Sequence, residues 1–209
     1  PPACIRIPRR LKSTCATIFP HKGYGHPDFY PLFSEAQEWD CPLVVHGGRS
    51  QCLGIDFVNS MAMVHAFEHP IALTVQMAHV ILNGVFDLFP KLTVAYLEAG
   101  AGWVPYMKDR LGQKYQGDRR RRSIVLKQLP SEYIRSGDIY FSCELDEKTL
   151  DVVVRELGED VLVYPSDFPH EKARGEFALD IPEFLKREDL SKRAKKKILC
   201  DYTNRVYRL

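Results

Sequence analysis

The chain has 209 residues, of which 45% are hydrophobic and 27% are charged, and its formal net charge is +2 at pH 7. This length is sufficient for one domain with a substantial core, and the composition is that of an ordinary globular protein. The near balance of charges indicates no nucleic-acid or membrane partner, and no apolar run approaches the roughly 18 residues of a membrane-spanning helix.

The first half of the chain predicts alternating strands and helices. A weak strand signal at residues 3–7 is followed by a helical pattern at 26–40, for which Asp28 is the expected N-cap. PLVVHGG (42–48) predicts a strand, and residues 69–90 predict a helix that has Pro70 in its first turn and ends near Asn83-Gly84. LTVAYLEAG (92–100) predicts the next strand.

The second half continues this alternation after an irregular segment. Residues 116–138 predict a long loop with one short helix, IYFSCE (139–144) predicts a strand, and 146–160 predicts a helix that stops at Gly158. VLVYPSD (161–167) predicts the last strand, and a helix capped by Ser191 closes the chain. The strands show little alternation of polar and apolar residues, which is typical of a parallel sheet buried on both faces. We therefore expect an α/β protein with a single domain over residues 1–209.

The predicted strands end in polar residues with chemical potential. His46 lies near the end of the predicted strand at 42–48 and Arg49 follows that strand, and Glu98 lies near the end of the strand at 92–100. Asp167 ends the strand at 161–167, and His170 follows it. Because the carboxyl ends of parallel strands meet at one edge, we expect these side chains to share a centre. Histidine and carboxylate groups bind divalent metals, and a further carboxylate can move protons.

Several segments, at their observed spacing, resemble one branch of the amidohydrolase superfamily, which includes aminocarboxymuconate-semialdehyde decarboxylase and related metal-dependent hydrolases. The resemblance runs from about residue 24 to the end. Its segments are HPDFYPLFSEAQEWDCPLVVHGG (26–48), GVFDLFPKLTVAYLEAGAGWVPYMKDRL (84–111), PSEY (130–133), GEDVLVYPSDFPH (158–170) and KKKILCDYTNRVYRL (195–209). The resemblance implies a distorted (β/α)8 TIM barrel with one divalent metal, usually zinc, with manganese as the second choice.

The resemblance also implies roles for individual residues. His46 matches the metal-binding histidine of the fifth barrel strand, and Asp167 matches the aspartate after the eighth, which binds metal and handles a proton. Glu98 stands where the decarboxylases have a histidine that acts as general acid/base, and other members of the branch carry glutamate there. Arg110 lies near the position of a basic residue that binds a substrate carboxylate, and we expect Arg49 and His170 to contribute to the same site.

Family members begin with a strand that ends in a His-x-His-like pair, which supplies two metal ligands. No such pair occurs in this sequence. About five of eight strands are recognisable, so we expect the C-terminal part of a barrel whose first strands are missing. Homologues often pair, so we also expect a homodimer, with the GWVPY segment as one contact.

Two other motifs offer competing interpretations. HAFEH (65–69) fits the H-x-x-E-H zinc-protease pattern, but Pro70 predicts that the helix breaks at His69. The basic runs RRRR (119–122) and KRAKKK (192–197) lack interleaved aromatic residues, so solvated surface is the favoured interpretation.

The sequence thus predicts a metal-dependent hydrolase or non-oxidative decarboxylase that acts on a small carboxylated or cyclic organic substrate through a metal-activated water. The alternative is a catalytically inactive barrel fragment with a structural or binding role. The first ten residues, PPACIRIPRR, carry no signal-peptide pattern, and the six cysteines include no Cys-x-x-Cys pair, so we expect reduced thiols and a cytoplasmic location.

Overall fold

The computed structural model of the chain describes residues 13–15, 22–48, 53–55, 57–118, 123–166 and 177–207. Within them, five parallel strands lie side by side in the order of the chain. The strands are β1 (Ser13–Cys15), β2 (Leu43–His46), β3 (Val94–Leu97), β4 (Ile139–Ser142) and β5 (Leu162–Val163). This parallel sheet with intervening helices confirms the α/β class. The weak strand signal at residues 3–7 lies outside the described residues, and β1 was not predicted.

Helices alternate with the strands along the chain, and two of them follow the last strand. They are α1 (Tyr30–Glu38), α2 (Met61–Met63, the π-helical turn Val64–Glu68 and His69–Leu82), α3 (Val85–Leu88), α4 (Val104–Gly117), α5 (Pro130–Arg135), α6 (Leu150–Leu157), α7 (Phe177–Lys186) and α8 (Lys192–Lys196, the π-helical turn Lys197–Asp201 and Tyr202–Tyr207). The predicted ends at Asn83-Gly84 and Gly158 are confirmed, and both glycines have positive φ. Asp28 does not cap α1, because the N-cap position of that helix is Phe29, which makes no side-chain cap bond. His26 caps the preceding 3-10 turn Pro27–Phe29, where it accepts a hydrogen bond from the Asp28 N–H.

The central strands are buried on both faces, which explains their uninterrupted apolar sequences. One face packs against the helices through alternate strand residues: Leu43, Val45, Val94, Tyr96, Ile139, Phe141 and Leu162. On the opposite face, Val44, Ala95, Tyr140 and Val163 form a second cluster with Tyr202 and Val206 of α8. This two-sided burial holds the strand ends in fixed relative positions.

Helix α2 continues through Pro70, so the predicted break at His69 is wrong. A proline ring clashes with the carbonyl four residues earlier and donates no hydrogen bond. The preceding turn is widened to a π-helical turn in which the N–H of His69 donates to the carbonyl of Val64. A π-turn accommodates such an interruption without ending the helix. His65 and His69 therefore lie on one continuous helix.

The outer edge of β5 is covered by helix α8. Ser191 caps this helix as predicted, because its Oγ accepts from the N–H of Ala194 at 2.9 Å. The N–H of Tyr164, just beyond β5, donates to the carbonyl of Ile198 in the π-turn at 3.2 Å. In the part of the chain that the structure describes, no helix is both long and apolar enough to cross a membrane.

Candidate active site

His46 and Glu98 meet at the carboxyl edge of the sheet. His46 is the last residue of β2, and Glu98 directly follows β3. Their strands pair in parallel with His46 opposite Leu97, which brings the two side chains to the same level. His46 Nε2 lies 3.3 Å from Glu98 Oε2, with 45% and 27% of the respective side chains exposed. The structure thus joins two of the predicted site residues and leaves them open to a small molecule.

The ring of His46 is held in one orientation by the backbone of the next residue. Its Nδ1 lies 2.5 Å from the carbonyl oxygen of Gly47. A carbonyl only accepts hydrogen bonds, so Nδ1 carries the hydrogen and Nε2 faces Glu98. Nε2 and the carboxylate oxygen would therefore repel each other through their lone pairs unless a proton or a cation lies between them. Histidines that bind metals are commonly fixed in this way through the second ring nitrogen.

Glu98 has a left-handed backbone, with φ of 75°. Non-glycine residues seldom adopt this conformation, which costs about 1–2 kcal/mol. Both backbone polar groups of Glu98 are hydrogen-bonded to side chains from neighbouring elements. The N–H donates to Ser142 Oγ at 2.9 Å, and His69 Nδ1 lies 3.1 Å from the carbonyl oxygen.

Gly47 makes close packing around Glu98 feasible. A Cβ atom on Gly47 would lie 2.8 Å from the carbonyl oxygen of Glu98, 3.0 Å from its Cβ and 3.0 Å from His69 Cγ. Contacts this short require the backbone or the ring to move. The glycine after His46 therefore lets β2, Glu98 and α2 approach one another.

Two further histidines from α2 line this edge. The rings of His65 and His69 stack with centroids 4.9 Å apart; His65 is exposed and His69 is buried. The hydrogen bond with His46, together with the charge of that ring when it is protonated, holds the pKa of the Glu98 carboxyl below its usual value, against the raising effect of burial. Burial lowers the pKa of His69, although its bond to the Glu98 carbonyl opposes this shift. Glu98 is thus a carboxylate and His69 a neutral ring at pH 7.

The loop that follows Glu98 is fastened by Glu147. The Glu147 carboxylate accepts hydrogen bonds from the N–H of Ala101 at 3.1 Å and of Gly102 at 2.5 Å, and from Thr149 Oγ1 at 3.0 Å. A Cβ atom on Gly102 would lie 2.5 Å from Thr149 Oγ1 and 2.8 Å from Glu147 Oε1. The glycines of the EAGAGW motif are therefore explained by the approach of this carboxylate to the loop backbone.

The structure describes only one of the remaining predicted site residues. Arg110 is exposed on α4, and its role in substrate binding stays a prediction. Arg49, Asp167 and His170 lie outside the described residues. Cys143 directly follows β4 and is buried, and burial raises the pKa of its thiol, which keeps the thiol protonated.

The donor types at this edge fit a divalent metal, although the described residues do not complete a ligand set. His46 offers an imidazole nitrogen and Glu98 a carboxylate, both suitable for zinc or manganese. Catalytic zinc usually takes three protein ligands. Among the residues that the structure describes, no group of three or more His, Cys, Asp or Glu side chains could hold a metal. This finding counts against a zinc-protease site at His65 and His69 of the H-x-x-E-H motif. The predicted helix break gives no argument against that site, because the helix is continuous.

The sequence matches the amidohydrolase family over residues 17–209. The chain therefore belongs to the amidohydrolase family, which confirms the resemblance noted from its motifs. The match covers the strand ends that carry His46 and Glu98, the predicted metal residue Asp167 and the whole of α8.

Solved structures of decarboxylases share this fold. The chain matches 5-carboxyvanillate decarboxylase from Sphingomonas paucimobilis with a TM-score of 0.79 and 20% identity, over 96% of this chain and 59% of that protein. The same enzyme from Novosphingobium aromaticivorans, with bound manganese and 3-methoxy-4-hydroxy-5-nitrobenzoic acid, gives 0.75 and 21% over 94% and 56%. Dihydroxybenzoic acid decarboxylase from Polaromonas, with bound manganese and 2-nitroresorcinol, gives 0.72 and 18% over 90% and 55%.

These matches place the five-stranded sheet as part of a (β/α)8 barrel. The chain spans somewhat more than half the length of each of these proteins, from 55% to 59%. The fold prediction is thereby confirmed as a partial barrel. At this level of identity the similarity concerns the fold alone.

Sequence reasoning missed His69, Ser142 and Glu147 as supports of the site. HAFEH had drawn attention to His69, but the proline rule argued against its helix. The spacing of His65 and His69 by four residues is a usable signal, since such pairs share a helix face. Ser142 and Glu147 carry no comparable motif, because each acts on a loop distant in sequence.

Proposed function

We propose that this chain carries a metal-dependent site for the hydrolysis or non-oxidative decarboxylation of a small carboxylated or cyclic organic compound. The observation that carries the proposal is the contact between His46 Nε2 and Glu98 Oε2 at the carboxyl edge of a parallel sheet. Active sites of such barrels lie at this edge. Membership of the amidohydrolase family supports the choice of reaction class.

In this proposal Glu98 is the proton acceptor. Its lowered pKa keeps it ionised, and its side chain is partly exposed, so it can take a proton from water or from a substrate hydroxyl. His46 and Asp167 are the proposed metal ligands, and His170 is a proposed proton-handling or orienting group. A bound divalent cation would act as a Lewis acid, polarising a substrate oxygen and lowering the pKa of a water molecule.

The proposed substrate class is chosen by analogy with the ligands of the solved structures. Two of those structures hold nitrated phenolic compounds together with manganese. We therefore propose a small ring compound with a carboxylate, for which Arg49 and Arg110 are the candidate binding residues. A homodimer is proposed as the assembly.

Metal content is the first test of this function. Elemental analysis is made on the purified 209-residue chain and on His46→Ala and Asp167→Ala, with His79→Ala as a matched control, because the His79 side chain is exposed on α2. The proposal expects about one divalent ion per chain, lost in both site variants and retained in the control. If no ion binds after reconstitution with zinc or with manganese, metal-dependent catalysis by this chain is refuted, and a structural or binding role replaces it.

The reaction itself is tested on the metal-loaded protein. Release of CO2 from 5-carboxyvanillate and 2,6-dihydroxybenzoate reports decarboxylation, and ring opening of lactones or lactams of similar size reports hydrolysis. Glu98→Gln keeps the shape of the side chain and removes its basicity, so either activity should fall by at least about 100-fold. An activity that survives this substitution would remove Glu98 from the mechanism.

A further inference from the structure

We propose that His69 is a positioning residue for Glu98: by donating from Nδ1 to the Glu98 carbonyl, it holds the left-handed turn that aims the carboxylate at His46. The inference rests on the proposed role of Glu98 in the chemistry. It assigns a function to a histidine that lies outside the ligands and proton-transfer groups named above.

The conformation of Glu98 needs external support. Its φ of 75° is unfavourable for a residue with a side chain, so the surrounding structure must impose it. The N–H is held from β4 by Ser142 Oγ, and the carbonyl is held from α2 by His69 Nδ1. Two side chains from different elements thus hold the backbone N–H and the backbone carbonyl of Glu98.

The ring state of His69 suits this task. Because a carbonyl accepts and never donates, the hydrogen lies on Nδ1 and the neutral ring keeps its lone pair on Nε2. The residue is 6% exposed, so water does not compete effectively for the bond. A buried ring with a defined tautomer is a rigid donor.

The widened turn of α2 sets the direction of this ring. Val64–Glu68 forms a π-helical turn immediately before His69, and one added residue rotates the following helix by about 100°. The ring reaches the Glu98 carbonyl from the start of the segment that follows. The π-turn thereby sets the rotation of α2 that directs the His69 ring toward the Glu98 carbonyl.

Close contact makes the three parts act as one unit. A Cβ atom on Gly47 would touch both the Glu98 carbonyl and His69 Cγ, so no spare space separates β2, Glu98 and α2. If His69 no longer holds the carbonyl, the turn can relax toward negative φ. That relaxation swings the Glu98 carboxylate away from His46 Nε2.

Nitrogen NMR of the 209-residue chain labelled with 15N-histidine tests this inference without any activity measurement. The chain has seven histidines, so single substitutions assign each ring. In the wild type we expect His69 to show the Nδ1–H tautomer at pH 8. The Nε2–H tautomer would overturn the proposal, and this result needs no variant that could fail to fold.

Two variants then test the positioning itself. His69→Leu removes the donor at similar size, whereas His69→Asn keeps an N–H donor at the place of Nδ1. The His46 ring signals in His69→Leu should shift to the positions that they take in Glu98→Gln, and His69→Asn should restore the wild-type positions. Unchanged His46 signals in a folded His69→Leu protein would overturn the proposal.

The outcomes separate this inference from the proposed function. If the protein binds no metal and has no activity but the His46 NMR signals shift as expected, His69 positions Glu98 and the proposed function is refuted. If activity depends on Glu98 but the His46 NMR signals do not change in His69→Leu, the proposed function holds and the positioning role of His69 is refuted.

Discussion

Substitution of Glu98 by glycine and by alanine separates the backbone cost of this residue from the chemistry of its carboxylate. Both variants lose the contact with His46, so that loss cancels when they are compared. Alanine retains the left-handed strain at φ of 75°, about 1–2 kcal/mol, and glycine does not. Glycine in turn adds about 0.5–1 kcal/mol of unfolded-state entropy. Glu98→Gly should therefore be more stable than Glu98→Ala by about 0.5–1 kcal/mol.

Urea unfolding at pH 7 measures this difference, and thermal unfolding should show a melting temperature about 2–4 °C higher for each 1 kcal/mol. Ala99→Gly is the matched control, because Ala99 is adjacent but is not among the described residues with positive φ. The control should lose about 0.5–1 kcal/mol. The reasoning is refuted if Glu98→Gly is no more stable than Glu98→Ala, or if Ala99→Gly stabilises the protein.

Further predictions concern the loop after Glu98 and the pH dependence of stability. Gly102→Ala should reduce the free energy of unfolding by about 1–3 kcal/mol, because its Cβ would lie 2.5 Å from Thr149 Oγ1. Gly112→Ala, inside α4 with its nearest contact at 3.8 Å, should instead be stabilising by about 0.5–1 kcal/mol, and urea titration of both variants decides. Glu147→Ala should cost about 2 kcal/mol, since two backbone N–H groups lose a charged acceptor; Glu147→Gln should cost less, and an equal loss in both would contradict the role of the charge. Glu98 has a lower pKa in the folded protein, so its contribution to stability is present above pH 4.5 and is lost as the pH falls through the folded value. The free energies of unfolding of the wild type and of Glu98→Gln should therefore converge at acid pH. A difference that stays constant with pH would contradict the lowered pKa.

The strands and the meeting of His46 with Glu98 could be predicted because they follow from local rules. Apolar runs of four to eight residues between helical patterns indicate buried parallel strands, and β2 to β5 lie within the predicted segments. Parallel neighbours place their carboxyl ends together, so polar residues at strand ends converge. Neither inference needs knowledge of distant contacts.

The supports of the site could not be predicted because they depend on such contacts. The left-handed backbone of Glu98 has no sequence signature, since it is imposed by Ser142 and His69 from other elements. The continuity of α2 through Pro70 required a π-turn, which the preference of pre-proline residues does not anticipate. Glu147 acts on a loop 45 residues earlier in the chain, a pairing visible only in three dimensions.

Helix α8, which lies along β5, also affects the tendency of the protein to aggregate. An uncovered strand edge is a template for association with other chains, and proteins shield such edges with a helix, a charge or a proline. Here α8 lies over the edge, and its π-turn offers the carbonyl of Ile198 to the N–H of Tyr164. The π-turn thus takes the place of a neighbouring strand for one hydrogen bond, and fraying of α8 would expose β5 to self-association. Loosening of α8 under mild stress should therefore promote association of this protein through β5.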